Sequence, residues 1–271
     1  MNVLSEWNVI SEDCVRKTFE LSDSIEEKVY SHDKSSLKYG VIKNFYKDPV
    51  AVREFFKQFP LISKKTSLSP GIQFNLGQQA NDALEDVYLY LREVLNKNNF
   101  PGVDNDIKCR IPEWHTYLNY YWKGMKSKPT DFIPHMDLFN YGFNIWLSEG
   151  IQEGTKFYSC RYRNYEPFYN FQQFIKNVDR ETFDEFHDEF MMMYQGENID
   201  LEFEEYLETQ TEYNSATYYP GIFFHKPGFN IKENYLRFSQ VSYCQFNPLP
   251  VFGEIYDEWV GTPRKVAHRR L

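Results

Sequence analysis

Two side chains that could bind a metal ion stand two positions apart, His135 and Asp137, within the segment 133–137. In an extended segment alternate side chains point to one face, so the imidazole and the carboxylate would project together. A second histidine from a distant strand would complete a set of two histidines and one carboxylate. That set suits non-haem Fe(II) and leaves coordination positions open. A three-residue H-x-D pattern also arises by chance, so its context decides its meaning.

Two later residues, His225 and Arg237, supply that context. Arg237 follows His225 by twelve positions. The planar guanidinium of an arginine can pair bidentately with a carboxylate. On a strand Arg237 would share a face with Ser239 and the apolar Val241, and an unpaired charge buried on such a face is costly. We therefore expect Arg237 to point inward and to be paired; the alternative is a strand residue that points to solvent.

The elements that would position these residues change in character along the chain. Apolar spacing and turn signals predict helices near 13–21, 50–59 and 81–96, and strands at 39–46, 115–122, 132–137, 141–147, 155–160, 213–225 and 235–246. Residues 1–36 show no clear period apart from the first of these helices. Strands that cluster after helices predict an α+β chain with a β core, a sandwich or jelly roll rather than a parallel sheet.

The segment 179–212 concentrates the negative charge, with 13 acidic residues and one basic residue. Phe183, Phe186, Phe190 and Met191 lie at helical spacing within it. One interpretation is an amphipathic helix with a solvated acidic face. The other is an insertion or lid near the site that favours neutral or cationic partners.

Composition excludes several classes of protein. The net charge of −9 argues against a nucleic-acid binder, and no stretch approaches the ~18 apolar residues of a membrane span. The four cysteines (Cys14, Cys109, Cys160 and Cys244) form no C-x-x-C pair, which argues against a zinc site or redox pair. Without a visible secretory signal, reduced thiols and a cytoplasmic location are expected. No P-loop, G-x-G-x-x-G or G-x-S-x-G motif is present.

Taken in order, the motifs resemble those of the Fe(II)- and 2-oxoglutarate-dependent dioxygenases, nearest in pattern to the prolyl-hydroxylase-like branch. They lie at 119–124, 135–137, 144–148, 153–158, 220–225 and 237–239, and 41–55 resembles the opening of such domains. The resemblance implies a double-stranded β-helix, or jelly-roll, core with flanking helices, here with an acidic helical insertion. We expect one dioxygenase domain over 1–271. It would comprise N-terminal helical support (about 1–110), the core (about 111–247), an insertion (about 161–212) and a C-terminal tail (248–271).

The resemblance also implies roles for individual residues. His135, Asp137 and His225 would be the iron ligands. Arg237 would hold the far carboxylate of 2-oxoglutarate, and Ser239 would either add a hydroxyl contact or fill space.

Other assignments stay open. Tyr121 matches a tyrosine that often bonds 2-oxoglutarate in this branch, although Tyr117 and Tyr120 lie close by. Asn144 and Trp146 are candidates for the barrel interior that faces the iron. His115 and His187 lack ligand neighbours at useful spacing, so surface or capping roles are expected.

Three departures from the family pattern matter. His135 and His225 are 90 residues apart, more than a minimal core requires, and the insertion accounts for the excess. Glu153 and Gly154 stand where two glycines are more usual. Asp137 is present, whereas halogenating relatives typically lack this carboxylate, so hydroxylation is favoured.

The implied activity is hydroxylation of a substrate with release of succinate and CO2. The partners would be 2-oxoglutarate, O2 and a small molecule or peptide, with no nucleic acid or membrane. The alternatives are a non-catalytic jelly-roll binding or structural protein, and a non-haem iron enzyme that does not use 2-oxoglutarate. Neither the substrate nor the oligomeric state is predicted by the sequence.

Overall fold

The computed structural model describes residues 12–57, 72–75, 84–100, 113–121, 133–137, 141–150, 153–194, 199, 201–228 and 237–245. The helices in this part of the chain are α1 (Glu12–Thr18), α2 (Pro49–Lys57), α3 (Glu85–Lys97), α4 (Phe171–Ile175) and α5 (Arg180–Tyr194). Its strands are β1 (Glu26–His32), β2 (Leu37–Lys43), β3 (Ile72–Asn75), β4 (Glu113–Tyr121), β5 (Tyr141–Trp146), β6 (Glu153–Arg161), β7 (Glu202–Gln210), β8 (Ser215–Pro220), β9 (His225–Pro227) and β10 (Arg237–Gln245). None of these helices combines the length and the hydropathy that a membrane crossing needs.

Two antiparallel sheets form the core. The major sheet has the order β1-β2-β8-β5-β10-β4-β3, and the minor sheet has the order β7-β6-β9. From β5 onward the chain passes from the major sheet to β6 and β7, back to β8, across to β9 and back to β10. This alternation between two facing sheets is that of a jelly roll. The predicted α+β class with a double-stranded β-helix core and flanking helices is therefore confirmed.

The outer face of the major sheet packs against α1, α2 and α3. Helix α3 forms because Val87, Leu91 and Val94 recur on one face, and all three are buried against the sheet. Helix α2 begins at Pro49, and the Asp48 carboxylate accepts a hydrogen bond from the Ala51 N–H at 2.9 Å. Both features are typical of a helix N-terminus.

The inner face of the major sheet and the minor sheet border a second cluster, which is rich in aromatic rings. Helix α4 is capped by Asn170, whose Oδ1 accepts from the Gln173 N–H at 2.9 Å. Helix α5 buries Phe183, Phe186 and Phe190 in this cluster and exposes acidic residues on its other side. The interpretation as an amphipathic helix with a solvated acidic face is confirmed. The predicted apolar face of the helix needs one correction, because Met193 is buried, whereas Met191 is exposed.

The strand β7 corrects the predicted extent of the helical insertion. It lies within 161–212 and pairs with β6, so the helical part of this segment precedes it. Glutamates are frequent in helices, but β7 is the edge of the minor sheet, where charged side chains stay in water and block further pairing.

The strand β1 was also not predicted, since residues 1–36 show no period beyond the first helix. It forms one edge of the major sheet and pairs only with β2. The region predicted as helical support, about 1–110, thus contributes β1, β2 and β3 to the major sheet. The tail 248–271 lies outside the described residues.

Two predicted strands are interrupted. The segment 133–137 is joined to β9 by a single bridge between His135 and His225 rather than by a regular ladder. Pro134 has no N–H to donate to a ladder, which explains the short pairing. The predicted strand 213–225 breaks after Pro220, where a turn separates β8 from β9.

Candidate metal centre

The bridge between the two segments brings His135 and His225 side by side. The His135 N–H donates to the His225 carbonyl, and the His225 N–H donates to the His135 carbonyl, both at 2.8 Å. Residues directly opposite each other in an antiparallel pair have their side chains on one face. Accordingly the two imidazole rings lie 4.6 Å apart between centroids.

The third member, Asp137, reaches the same point from the same segment. Its N–H donates to the Gly221 carbonyl at 2.9 Å. Its Oδ2 lies 3.2 Å from His225 Nε2, and its Oδ1 lies 3.8 Å from His135 Nε2. The three ligand atoms are all within 4.8 Å of one another. Adjacent ligands of an octahedral ion with bonds of about 2.1 Å stand about 3 Å apart, so small movements would close this set around an ion.

The hydrogen bonding of His225 decides which of its nitrogen atoms is available. Its Nδ1 lies 2.8 Å from the Phe223 carbonyl, so the ring proton sits on Nδ1 and donates there. This leaves the Nε2 lone pair directed towards Asp137, the arrangement that a metal-binding histidine needs.

The Asp137 carboxylate is incompletely satisfied without a cation. Its Oδ2 is buried, and with the His225 ring proton on Nδ1 it receives no hydrogen bond from a described residue. The nearest group, His225 Nε2, presents a lone pair rather than a proton. A buried carboxylate oxygen without a donor is costly, and a cation between the two lone pairs would remove that cost. Two nitrogen donors and one carboxylate therefore fit a divalent ion such as Fe(II).

The protonation states also suit metal binding. Burial lowers the pKa of His135 to about 4, and the adjacent His225 acts in the same direction. Burial raises the pKa of Asp137, but the two histidines outweigh that effect and hold it below its usual value. At neutral pH His135 is therefore neutral and Asp137 is ionised, the forms that bind metals.

Exposure of the three side chains shows where a ligand could enter. His225 is 4 % exposed and Asp137 is 11 % exposed, whereas His135 is 29 % exposed. The centre is therefore closed on the side of the minor sheet and opens beside His135.

The inner wall of the centre is formed by Gly142 and Tyr219, which lie outside the sequence motifs, and by Phe157, which lies within the motif at 153–158. A Cβ atom on Gly142 would stand 3.7 Å from Asp137 Oδ2 and 3.6 Å from the Tyr219 ring. The Tyr219 ring lies 5.0 Å from the His225 ring, and Phe157 lies 6.1 Å from it. Nothing in the sequence separates Tyr219 from its neighbour Tyr218, so only the fold identifies the inward ring.

The two residues predicted for the barrel interior differ in their surroundings. Asn144 Nδ2 donates to the Tyr219 hydroxyl at 2.8 Å and to Thr155 Oγ1 at 3.1 Å, close to the centre. Trp146 is buried and its Nε1 donates to Thr217 Oγ1 at 3.2 Å. Asn144 is the one position of β5 that is not fully buried.

The residues predicted to bind 2-oxoglutarate lie on β4 and β10. Arg237 is directly opposite Tyr121 in the register, Tyr120 is opposite Phe238, and Tyr117 is opposite Val241. The side chains of Arg237 and of these three tyrosines lie outside the described residues. Ser239 is buried and lies directly opposite Trp146 on the neighbouring strand β5.

Two further sequence features have clear surroundings. Gly154 leaves no room for a Cβ against the Thr209 backbone, and its carbonyl accepts from the Gly228 N–H at 2.7 Å. Gly154 thus lies not in a turn but at the start of β6, where the register with β7 shifts and no larger residue would fit. His187 is half-buried rather than fully at the surface: it packs against Phe171 and Phe183, and burial lowers its pKa. The side chain of His115 lies outside the described residues.

Comparisons with known proteins were made on both sequence and structure. No protein-family model matches the chain, and no curated protein matches it significantly. A prolyl-4-hydroxylase from Pseudomonas putida is 11 % identical with a TM-score of 0.39, over 87 % of this chain and 98 % of that one. The non-haem alpha-ketoglutarate-dependent carbocyclase SnoK from nogalamycin biosynthesis is 9 % identical with a TM-score of 0.43, over 88 % and 85 %.

An oxidoreductase of the 2OG-Fe(II) oxygenase family from Burkholderia pseudomallei is 9 % identical with a TM-score of 0.28, over 86 % of this chain and 76 % of that one. The names of the carbocyclase and of the Burkholderia pseudomallei protein refer to alpha-ketoglutarate dependence and to the 2OG-Fe(II) oxygenase family, the family that the sequence motifs of this chain resemble.

Proposed function

We propose that this chain is an Fe(II)- and 2-oxoglutarate-dependent oxygenase that hydroxylates a C–H bond of its substrate. The observation that carries the proposal is the convergence of His135, Asp137 and His225 on one point, with Asp137 Oδ2 buried and lacking a donor. A protein that used this fold only as a scaffold would gain nothing from that costly carboxylate.

In this proposal His135, Asp137 and His225 would hold Fe(II), and the exposed side of His135 would be the route by which ligands reach it. When bound, Fe(II) with 2-oxoglutarate and O2 supplies the oxidising chemistry, with succinate and CO2 as co-products. The chain contributes the fixed orientation of the ligands. His225 is oriented by the Phe223 carbonyl, and the rings of Phe157 and Tyr219 exclude water from the inner side.

Arg237, Tyr121 and Ser239 are the proposed 2-oxoglutarate-binding residues. The register supports the choice of Tyr121, because residues directly opposite across an antiparallel pair share a face of the sheet, and Tyr121 is opposite Arg237. Ser239 follows Arg237 by two positions and is buried between the sheets. A guanidinium at this position would neutralise the far carboxylate of 2-oxoglutarate.

We further propose that residues 1–271 act as one domain, because helices α1 to α3 pack on one face of the major sheet, and the minor sheet with α4 and α5 packs on the other. A cytoplasmic location is also proposed. It is supported by Cys14, Cys160 and Cys244, which are free thiols, as expected in a reducing compartment.

Turnover of 2-oxoglutarate tests the proposal. Succinate formation should require both Fe(II) and O2. Arg237→Ala should raise the KM for 2-oxoglutarate by about 30-fold or more, since truncating one partner of a buried charge pair costs at least about 2 kcal/mol.

The matched control is Arg161→Ala, an exposed arginine on β6 that pairs with Glu202 at 3.6 Å. It should leave this KM unchanged. If Arg237→Ala behaved like the control, the chain would be an iron enzyme that does not use 2-oxoglutarate in this way.

A further inference from the structure

A buried phenol lies directly beside the candidate metal centre. Tyr219, on β8, is 2 % exposed. Its ring meets the His225 ring edge-on at 5.0 Å and 65°, and it meets the Phe157 ring at 5.0 Å and 90°. The His225 imidazole is thus held by a hydrogen bond from its Nδ1 and by a ring on its flank.

The hydroxyl of Tyr219 belongs to a polar cluster with Asn144 and Thr155, which we call the inter-sheet cluster. Asn144 Nδ2 donates to the Tyr219 hydroxyl at 2.8 Å and to Thr155 Oγ1 at 3.1 Å. Thr155 is also within hydrogen-bonding reach of the Tyr219 hydroxyl. Because β5 and β8 belong to the major sheet and β6 to the minor sheet, the cluster ties the two sheets together.

The strands of this cluster also carry the surroundings of the metal ligands. On β6, Phe157 follows Thr155 by two positions and is directly opposite His225 on β9. On β5, Gly142 precedes Asn144 by two positions and adjoins both Asp137 Oδ2 and the Tyr219 ring. The distance between the sheets at the cluster therefore fixes the separation of His225 from the wall behind Asp137.

We propose that Tyr219 is a positioning residue of the metal centre: its ring, anchored by Asn144 and Thr155, keeps His225 Nε2 directed towards Asp137. The inference rests on the proposed metal site and adds a residue to it.

Tyr218 provides a control with the same chemistry on the opposite face of the sheet. It is fully buried, and its hydroxyl donates to Glu27 Oε1 at 2.7 Å, away from the metal centre. Tyr218→Phe and Tyr219→Phe each remove one buried phenol oxygen from the same strand. Any effect that is merely structural should appear in both variants.

Binding of Co(II), measured without turnover, distinguishes the two tyrosines, because its affinity and its visible spectrum both report the ligand geometry. Tyr219→Leu should weaken Co(II) binding by about 10- to 100-fold and alter the spectrum, the usual range when a residue that orients a ligand is lost. Tyr219→Phe keeps the ring but loses the anchor of its hydroxyl, so its Co(II) affinity should fall between those of wild type and Tyr219→Leu. Tyr218→Phe should lower the melting temperature and leave affinity and spectrum unchanged.

The outcomes separate the two proposals. A folded wild-type chain that binds no Co(II) contradicts the metal site and with it the proposed function. Wild-type binding that is matched by Tyr219→Leu contradicts the role of Tyr219 alone, as does an equal loss in Tyr218→Phe. If Tyr219→Leu does not fold, Asn144→Ala removes the anchor of the ring, and unchanged Co(II) affinity in that variant overturns the inference.

Discussion

Both faces of the major sheet bury polar groups, but the groups on the two faces differ in their hydrogen-bond partners. On the outer face the groups satisfy one another. The Tyr46 hydroxyl donates to Gln240 Oε1 at 2.8 Å, Thr116 Oγ1 and Ser242 Oγ share a hydrogen bond of 3.0 Å, and Tyr88 shares one of 2.5 Å with Thr116. These residues lie under the helices and are buried.

The nearly buried carboxylate of Glu27, on the same side of the sheet, is also matched. It accepts hydrogen bonds from the Tyr218 hydroxyl and the Asn98 amide, and Lys97 Nζ lies 2.5 Å from its Oε2. Two donors on Oε1 and the ammonium group beside Oε2, which itself receives no hydrogen bond from a described residue, thus compensate one negative charge.

On the inner face, the charge of the Asp137 carboxylate is not compensated in this way. Its Oδ2 is as well buried as any group on the outer face, yet its nearest neighbour is an imidazole lone pair. The difference teaches that burial alone does not mark a functional carboxylate. Glu27 Oε2 is also buried without a hydrogen bond from the described residues, but Lys97 stands beside it. The informative feature is therefore a buried carboxylate oxygen with neither a donor nor a lysine or arginine beside it, because a chain tolerates that cost only where something else supplies the missing positive charge.

The largest expected effect follows from removing the inner carboxylate. Asp137→Ala should weaken Fe(II) binding and succinate formation by more than about 100-fold, since a direct ligand matters more than the orienting groups around it. The metal-free variant should melt no lower than wild type, because the substitution also removes an unpaired buried charge. Scanning calorimetry measures the melting temperature, and isothermal titration measures the Fe(II) affinity. A clear loss of metal-free stability would show that Asp137 serves the fold instead.

Metal binding should itself stabilise the folded chain. At a Co(II) concentration about 100 times the Kd, the free energy of unfolding should rise by about 2.7 kcal/mol. Denaturant unfolding with and without Co(II) measures this rise. It should be absent in Asp137→Ala and intact in Glu27→Ala; a rise that survives Asp137→Ala would place the metal elsewhere.

Removing the Glu27 carboxylate, on the outer face, should lower the stability and leave metal binding unchanged. Glu27→Ala leaves the Tyr218 hydroxyl and the Asn98 amide without their acceptor, and should lower the free energy of unfolding by about 1–3 kcal/mol. Its affinity for Fe(II) should equal that of wild type. Loss of metal affinity in a folded Glu27→Ala chain would break the distinction between the two faces.

The smallest effect is expected from a single neutral hydrogen bond of the outer face. Tyr46→Phe removes the hydroxyl that bonds Gln240 and should cost about 1 kcal/mol of stability. Urea unfolding detects a change of this size, and 2-oxoglutarate turnover should not respond. A variant that lost turnover while keeping its stability would connect the outer face to the site.

Much of the site was predictable because its chemistry is carried by rare residue types at fixed spacing. His135, Asp137 and His225 were named from the sequence, and the fold brings them together. Tyr219 and Gly142 were not named, because a tyrosine or a glycine on a strand is common and only the pairing of β5 with β8 shows that both face Asp137. The roles of Arg237, Tyr121 and Ser239 remain predictions.

The fold was predictable where one face of an element is apolar. Helices α2 and α3 and the strands β4, β5, β6 and β10 follow their predicted positions within a few residues. The edge strands β1 and β7 were not predicted, because solvent on their open side permits charged residues and hides the alternation. The break between β8 and β9 depends on a turn whose position is fixed by the bridge from His135 to His225.

The most direct test of the central claim is an anaerobic titration followed by visible absorption. Fe(II) is added first and 2-oxoglutarate second, and the wild-type chain should then develop the charge-transfer band of 2-oxoglutarate chelated to iron. Asp137→Ala should show no band, and Glu27→Ala should show the full band. Absence of the band in folded wild-type protein would contradict the assignment of His135, Asp137 and His225 as the iron-binding centre of a 2-oxoglutarate-dependent oxygenase.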